Sequence, residues 1–125
     1  MDSVKVGLIG FGTIGAGVAE ILLGKADMIA RTTGKKIELA KICDKNTTAD
    51  RGVAVPPGVL TDDMSEILDN PEISIVIELI GGVDVARTVV LRALEAGKDV
   101  VTANKALIAN CGPELFEKAR SLGRT

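Results

Sequence analysis

Val4-Lys5-Val6-Gly7-Leu8-Ile9-Gly10-Phe11-Gly12-Thr13-Ile14-Gly15-Ala16-Gly17-Val18 is the stretch whose reading decides the fold. Val4 to Ile9 is a short aliphatic run that ends in glycine, and from Thr13 to Lys25 the residues Ile14, Val18, Ile21 and Leu22 fall at helical spacing. Strand, tight turn and helix therefore follow one another. The turn carries the pattern G-x-G-x-x-G at Gly10, Gly12 and Gly15, directly after a strand and opening a helix, which is the context that gives the pattern its meaning. Gly10 permits the tight turn, Gly12 lets a pyrophosphate approach the backbone, and Gly15 allows the helix to pack closely on the strand. The helix start adds unpaired N–H groups and a positive dipole end, a seat for phosphates. Phe11, Thr13 and Ile14 complete the turn as candidate contacts. Methyltransferases and nucleotide-gated regulatory domains use similar turns, so the motif indicates a ligand type more firmly than a reaction.

Outward from this turn, strands and helices alternate. Strands are predicted at Ile37–Cys43, Val59–Leu60, Ser74–Ile80 and Asp99–Thr102. Helices are predicted at Asp62–Leu68, at Val85–Ala96 with Gly97 as its stop, and at Pro113–Leu122 with Pro113 in the first turn and Gly123 past the end. Met28–Lys36 reads as a polar surface excursion and Lys45–Pro57 as irregular chain. The alternation implies right-handed βαβ crossovers and an α/β fold built on a doubly wound parallel sheet. In such sheets ligands bind beyond the carboxyl ends of the strands. The segments expected there are Gly10–Gly15, Asp44, Ile80–Gly82 and Thr102–Lys105.

Composition agrees. The chain has 125 residues, 46% apolar and 26% charged, enough for one soluble domain with a buried core. Phe11 and Phe116 are its only aromatics, so Val, Ile, Leu and Ala must fill that core, as in parallel strands covered by helices. A net charge of −2 spread along the chain offers no basic stripe to nucleic acid. The start, MDSVKVGLIG, is neither a signal peptide nor a membrane span. Cys43 and Cys111 lie far apart in a chain without histidine, which argues against a metal site and for a reducing, cytoplasmic setting.

Asp44 closes the second strand, where an acidic residue hydrogen-bonds the adenosine ribose of NAD and repels the extra phosphate of NADP. It also suits a turn opening at Asp44-Lys45-Asn46. Lys41, Lys45 and Arg51 lie near enough in sequence to receive a 2′-phosphate, so the cofactor is NAD or NADP, with the balance toward NAD. Glu78-Leu79-Ile80-Gly81-Gly82 ends the next central strand; after Ile80, the two glycines Gly81 and Gly82 are small enough to let a flat nicotinamide ring approach, and they also suit a loop that needs positive φ. Glu78 is either a buried, partnered carboxyl or a group at the open strand end, and is assigned no catalysis. Lys105 follows a buried strand at the ligand edge; taken alone, it also suits a surface lysine.

GFGTIGAGV, ELIGG and VVTANKALIA, in that order and spacing, closely resemble the N-terminal, Rossmann-type NAD(P)-binding domain of the homoserine dehydrogenases, over essentially all of residues 1–125. The resemblance implies reversible hydride transfer between a nicotinamide and the pair L-homoserine and L-aspartate 4-semialdehyde, in threonine, methionine and isoleucine biosynthesis. It also implies that Lys105 lies near nicotinamide and substrate and assists proton transfer as a catalytic residue, its pKa lowered by burial or a nearby charge. Many members carry an arginine just before the aspartate that ends the second strand; Cys43 stands there in this chain, which weakens the expectation of NADP preference. Cys43 and Cys111 otherwise read as small packed thiols.

The last predicted helix ends where a doubly wound domain would add another strand, so a fragment is expected, lacking the substrate and dimerising parts of a homo-oligomer and slow or inactive alone. Two alternatives remain at this point. A non-enzymatic NAD(H)-sensing module would be followed by a DNA-binding or channel-associated segment, and a methyltransferase would bind S-adenosylmethionine.

Overall fold

The computed structural model describes residues 2–10, 13–24, 31, 35–44, 58–80, 83–102 and 104–123. In chain order they form β1 (Asp2–Ile9), α1 (Thr13–Gly24), β2 (Lys35–Cys43), β3 (Leu60–Thr61), α2 (Ser65–Leu68), β4 (Ile73–Glu78), α3 (Asp84–Glu95), β5 (Asp99–Thr102) and α4 (Lys105–Ser121). The strands make one sheet in the order β3-β2-β1-β4-β5, and every neighbouring pair is parallel. This is the expected doubly wound architecture. The chain winds outward from β1 to β3, then returns to β4 on the other side of β1, so the carboxyl ends of β1 and β4 open the crevice at which strand order reverses.

Period-two alternation distributes β1 between two cores. Val6 and Leu8, with Leu39 and Ile42 of β2, pack on Ala16 and Ala19 of α1. Ile9, Cys43, Ile73 and Val76 pack instead with Ile67 and Leu68 of α2 and Val89 and Ala93 of α3. A third cluster joins Ala86, Val90 and Leu94 of α3 to Leu107 and Leu115 of α4. Two residues of the predicted apolar stripes face outward: Ile21 is 51% exposed and Val85 50%. In α1 the small Ala16 and Ala19 make the contact, which brings the helix close to the sheet and leaves Ile21, two residues past Ala19, on its outer side.

Most element ends lie within two residues of the predicted ones. Lys35 and Lys36 belong to β2 and not to a surface excursion, because backbone pairing with Asp2 and Ser3 extends the strand whatever the side-chain polarity. Strand β4 stops at Glu78, and Leu79 and Ile80 lie beyond it. Helix α2 is shorter than expected, since Asp63 Oδ1 accepts the Ser65 N–H (2.9 Å) and delays its start. The predicted irregular stretch Lys45–Pro57 and most of Met28–Gly34 lie outside the described residues.

The larger correction concerns the last helix. It begins at Lys105, eight residues before Pro113, and carries that proline inside it. Asn104 supplies the start signal: its Oδ1 accepts the Leu107 N–H at 3.0 Å. An internal proline costs a helix about 3 kcal/mol, because it removes one N–H and crowds the preceding turn. The freed acceptor belongs to Ala109, an exposed residue whose carbonyl water can reach. Burial of Leu107 and Leu115 against α3 offsets the cost, helped by the two-pronged hydrogen bonds from Arg87 to Glu114 (2.6 and 2.7 Å).

Helix α3 ends as predicted at Gly97, whose φ of 85° closes a turn in which Gly97 N–H donates to Leu94 O (3.1 Å) and Lys98 N–H to Ala93 O (3.0 Å). That turn delivers Lys98 into the interior, where it is 3% exposed. Its Nζ donates to the carbonyls of Asn70 (2.6 Å) and Ile73 (2.5 Å), tying the start of β4 to the approach of β5. Burial lowers its pKa, against the raising influence of Asp69. Replacing Lys98 with methionine keeps the aliphatic stem but strands two carbonyls, and should cost about 2 kcal/mol. Urea denaturation measures this; an unchanged midpoint would mean the lysine is dispensable. No helix among the described residues is long and apolar enough to cross a membrane.

Candidate functional site

Four strand ends meet along one sheet edge. The parallel registers put Ile9, Cys43, Glu78 and Thr102 side by side at the carboxyl ends of β1, β2, β4 and β5. The edge is tied laterally by backbone bonds: Gly10 N–H to Cys43 O (2.8 Å), Leu79 N–H to Ile9 O (2.9 Å) and Asp44 N–H to Thr61 O (3.0 Å).

Gly10 turns the chain with φ of 104°, a conformation that L side chains rarely adopt. A Cβ there would also lie 2.8 Å from the carbonyl carbon and oxygen of Leu79. Gly15 is buried in the first turns of α1, and a Cβ on it would overlap the carbonyl oxygen of Gly10. The two glycines thus press the turn against the start of α1, leaving that helix start bare of side chains from these positions. This cradle suits a diphosphate approaching the backbone N–H groups. Thr13 and Ile14 begin α1. Phe11 and Gly12, like Gly81 and Gly82, lie outside the described residues.

Asp44 sits one residue beyond β2, half-buried, at the far side of this turn from β4. Beside it the Cys43 thiol is pushed up to about 11, by burial first and then by Asp44, Asp63, Asp62 and Glu66. At pH 8 only about one thiol in a thousand would then be ionised. A disulfide-exchange reagent should therefore label Cys111, which is partly exposed, and reach Cys43 only on unfolding. Rapid labelling of both in the native chain would contradict the burial of Cys43.

On the other side of β1, polar side chains stitch two turns together. Glu78 is fully buried and accepts from Ile80 N–H at Oε1 (2.7 Å) and from the Thr102 hydroxyl at Oε2 (2.5 Å). Thr102 Oγ1 in turn accepts the Asn104 N–H (3.0 Å), and Asn104 Nδ2 donates to Ile80 O (3.1 Å). Of the two readings left open for Glu78, the buried, partnered carboxyl is the one observed. Lys105 is the first residue of α4 and is exposed. The edge brings Gly10, Gly15, Asp44, Ile80 and Lys105 to one side of the sheet, in the order Asp44, glycine turn, Ile80, Lys105 from β2 to β5.

The segment Thr102–Lys105 was expected at this edge, but Thr102 and Asn104 were given no role of their own in it. An asparagine followed by Lys105-Ala106-Leu107-Ile108 is a helix-start signal, but Pro113 competed for the same assignment.

The family model of the homoserine dehydrogenase NAD-binding domain matches residues 10–125. The chain belongs to that family. The homoserine dehydrogenase of Pseudomonas aeruginosa is 49% identical over an alignment 125 residues long that covers 98% of this chain and 28% of that protein. The crystal structure of a homoserine dehydrogenase from Thiobacillus denitrificans superposes with a TM-score of 0.89 at 40% identity, covering 99% of this chain and 28% of that one. A hyperthermophilic archaeal homoserine dehydrogenase in complex with NADPH superposes with a TM-score of 0.74 at 25% identity, over 97% of this chain and 42% of that one. The chain thus spans a little over a quarter of the length of its bacterial relatives. Membership in this NAD-binding family favours the dehydrogenase reading over the sensing module and the methyltransferase.

Proposed function

We propose that this chain binds a nicotinamide dinucleotide along its strand-end edge and serves a homoserine dehydrogenase, interconverting L-homoserine and L-aspartate 4-semialdehyde in amino-acid biosynthesis. The observation that carries the reading is the order of residues along the edge. Asp44, Gly10, Ile80 and Lys105 follow one another from the β2 end to the β5 end, an order that supports a ribose at Asp44, a diphosphate at the glycine motif and a nicotinamide between Ile80 and Lys105. The bound nicotinamide supplies the hydride acceptor or donor. Lys105 takes the proton that leaves the substrate hydroxyl during oxidation, and returns it in the reverse direction. A lysine in the first turn of a helix is at the wrong end for the dipole, so helix stability does not explain its place. Asp44, with Cys43 in place of a basic residue, favours NAD over NADP. The full-length enzyme is taken to be a cytoplasmic homo-oligomer.

Titrating the chain with NADH and NADPH while following nicotinamide fluorescence tests the core of this proposal. Saturable binding is expected, tighter for NADH. Binding of neither dinucleotide would sink the reading, and tighter binding of NADPH would overturn the preference alone.

A further inference from the structure

Glu78 is a carboxyl group with no exposed surface, placed directly under the edge at which the dinucleotide is proposed to lie. Its two oxygens serve different segments. Oε1 holds the backbone N–H of Ile80, just before Gly81 and Gly82, and Oε2 holds the Thr102 hydroxyl, just before Asn104 and Lys105. A second strap lies alongside, since Asn104 donates from Nδ2 to Ile80 O while its Oδ1 caps α4 through Leu107 N–H. The β4 turn and the start of α4 are thereby fixed to one another through side chains, because parallel strand pairing ends at Glu78 and Thr102. A core needing only volume at this position would hold leucine or methionine; a carboxyl group there requires donors at both oxygens, and this site supplies both.

We infer that Glu78 is a positioning residue for the nicotinamide half of the site, setting the separation between the backbone of Ile80, past the end of β4, and the helix start that carries Lys105. It touches neither cofactor nor substrate. The inference rests on the dinucleotide reading above. It predicts an asymmetric defect, because Gly10 and Asp44 are held by backbone bonds to Cys43 of β2 and Thr61 of β3 that do not involve Glu78.

The experiment measures NADH affinity by fluorescence and ADP-ribose affinity by calorimetry for the unmodified chain and for Glu78→Met and Glu78→Gln. Glu78→Met orphans the Ile80 N–H and the Thr102 hydroxyl, and should weaken NADH about tenfold while ADP-ribose changes by less than about twofold. Glu78→Gln keeps an acceptor for Ile80 and offers a donor to Thr102 Oγ1, so it should restore NADH binding. Equal loss for both ligands, loss for neither, or failure of glutamine to rescue would overturn the positioning role. If Glu78→Met does not fold, Thr102→Val breaks the same link from the other side, leaving Oε2 without its hydroxyl donor while Oε1 keeps the Ile80 N–H, and must show the same selective loss. Failure of the unmodified chain to bind NADH at all would remove the dinucleotide reading itself, a result distinct from any of these.

Discussion

Alanine at Gly15 is expected to destabilise the domain by about 3 kcal/mol, although alanine is the better helix former. The propensity gain of about 1 kcal/mol is outweighed because the added methyl would overlap the carbonyl oxygen of Gly10, a backbone atom that cannot rotate away. Gly10 is itself confined, by its φ of 104° and by the Leu79 backbone behind it, so the strain cannot be passed on cheaply. The melting temperature should fall by about 10 °C, and dinucleotide binding should weaken as the turn is displaced. Gly17→Ala is the internal control. That glycine lies in the same helix with nothing within 4 Å of its Cβ position, so alanine there should stabilise by about 1 kcal/mol. If both variants moved stability in the same direction, the close approach of Gly15 to the turn would not be what matters.

Lys105→Ala in the full-length enzyme should lower kcat for homoserine oxidation by about 100- to 10,000-fold while leaving NADH affinity nearly unchanged. The reason for the split is placement. Lys105 begins α4 at the β5 end of the edge, two strands from the Gly10–Gly15 turn, and its side chain is exposed within this chain. The helix cap that orients it comes from Asn104 and survives the substitution, so the fold should keep its melting temperature. Steady-state kinetics with a parallel binding titration check this. A kcat within about threefold of the unmodified enzyme would remove Lys105 from the proton-transfer step.

The fold was legible in the sequence to different depths in different places. Gly10 and Gly97 were read as a turn and a helix stop, and both adopt positive φ. The aliphatic runs of β1 and β4 marked buried parallel strands, because strands covered on both faces carry little polar alternation; β5 has the same kind of run but lies at the sheet edge, with Val101 55% exposed. Lys105 was read as lying just past the end of β5, as it does, but not as the first residue of a helix. Pro113 is a strong local signal for a helix start, and only the packing of Leu107 and Leu115 on α3 shows that the helix passes through it.

Buried polar groups were the least legible. Lys98 reads as one more surface lysine, and Glu78 left two readings open, since nothing within a few residues of either names its partner. The lysine reaches carbonyls 28 and 25 residues away, and the carboxyl meets a hydroxyl 24 residues away. The sequence by itself determined the order of elements, the parallel winding and the glycine turn, because each depends on backbone preference or on side-chain periodicity over a short span; the family was carried by the resemblance of three motifs. Tertiary structure alone decided that Glu78, Thr102 and Asn104 join two turns and that Lys105 opens a helix, because those contacts come into existence only when β4 and β5 pair and bring distant segments to a common edge.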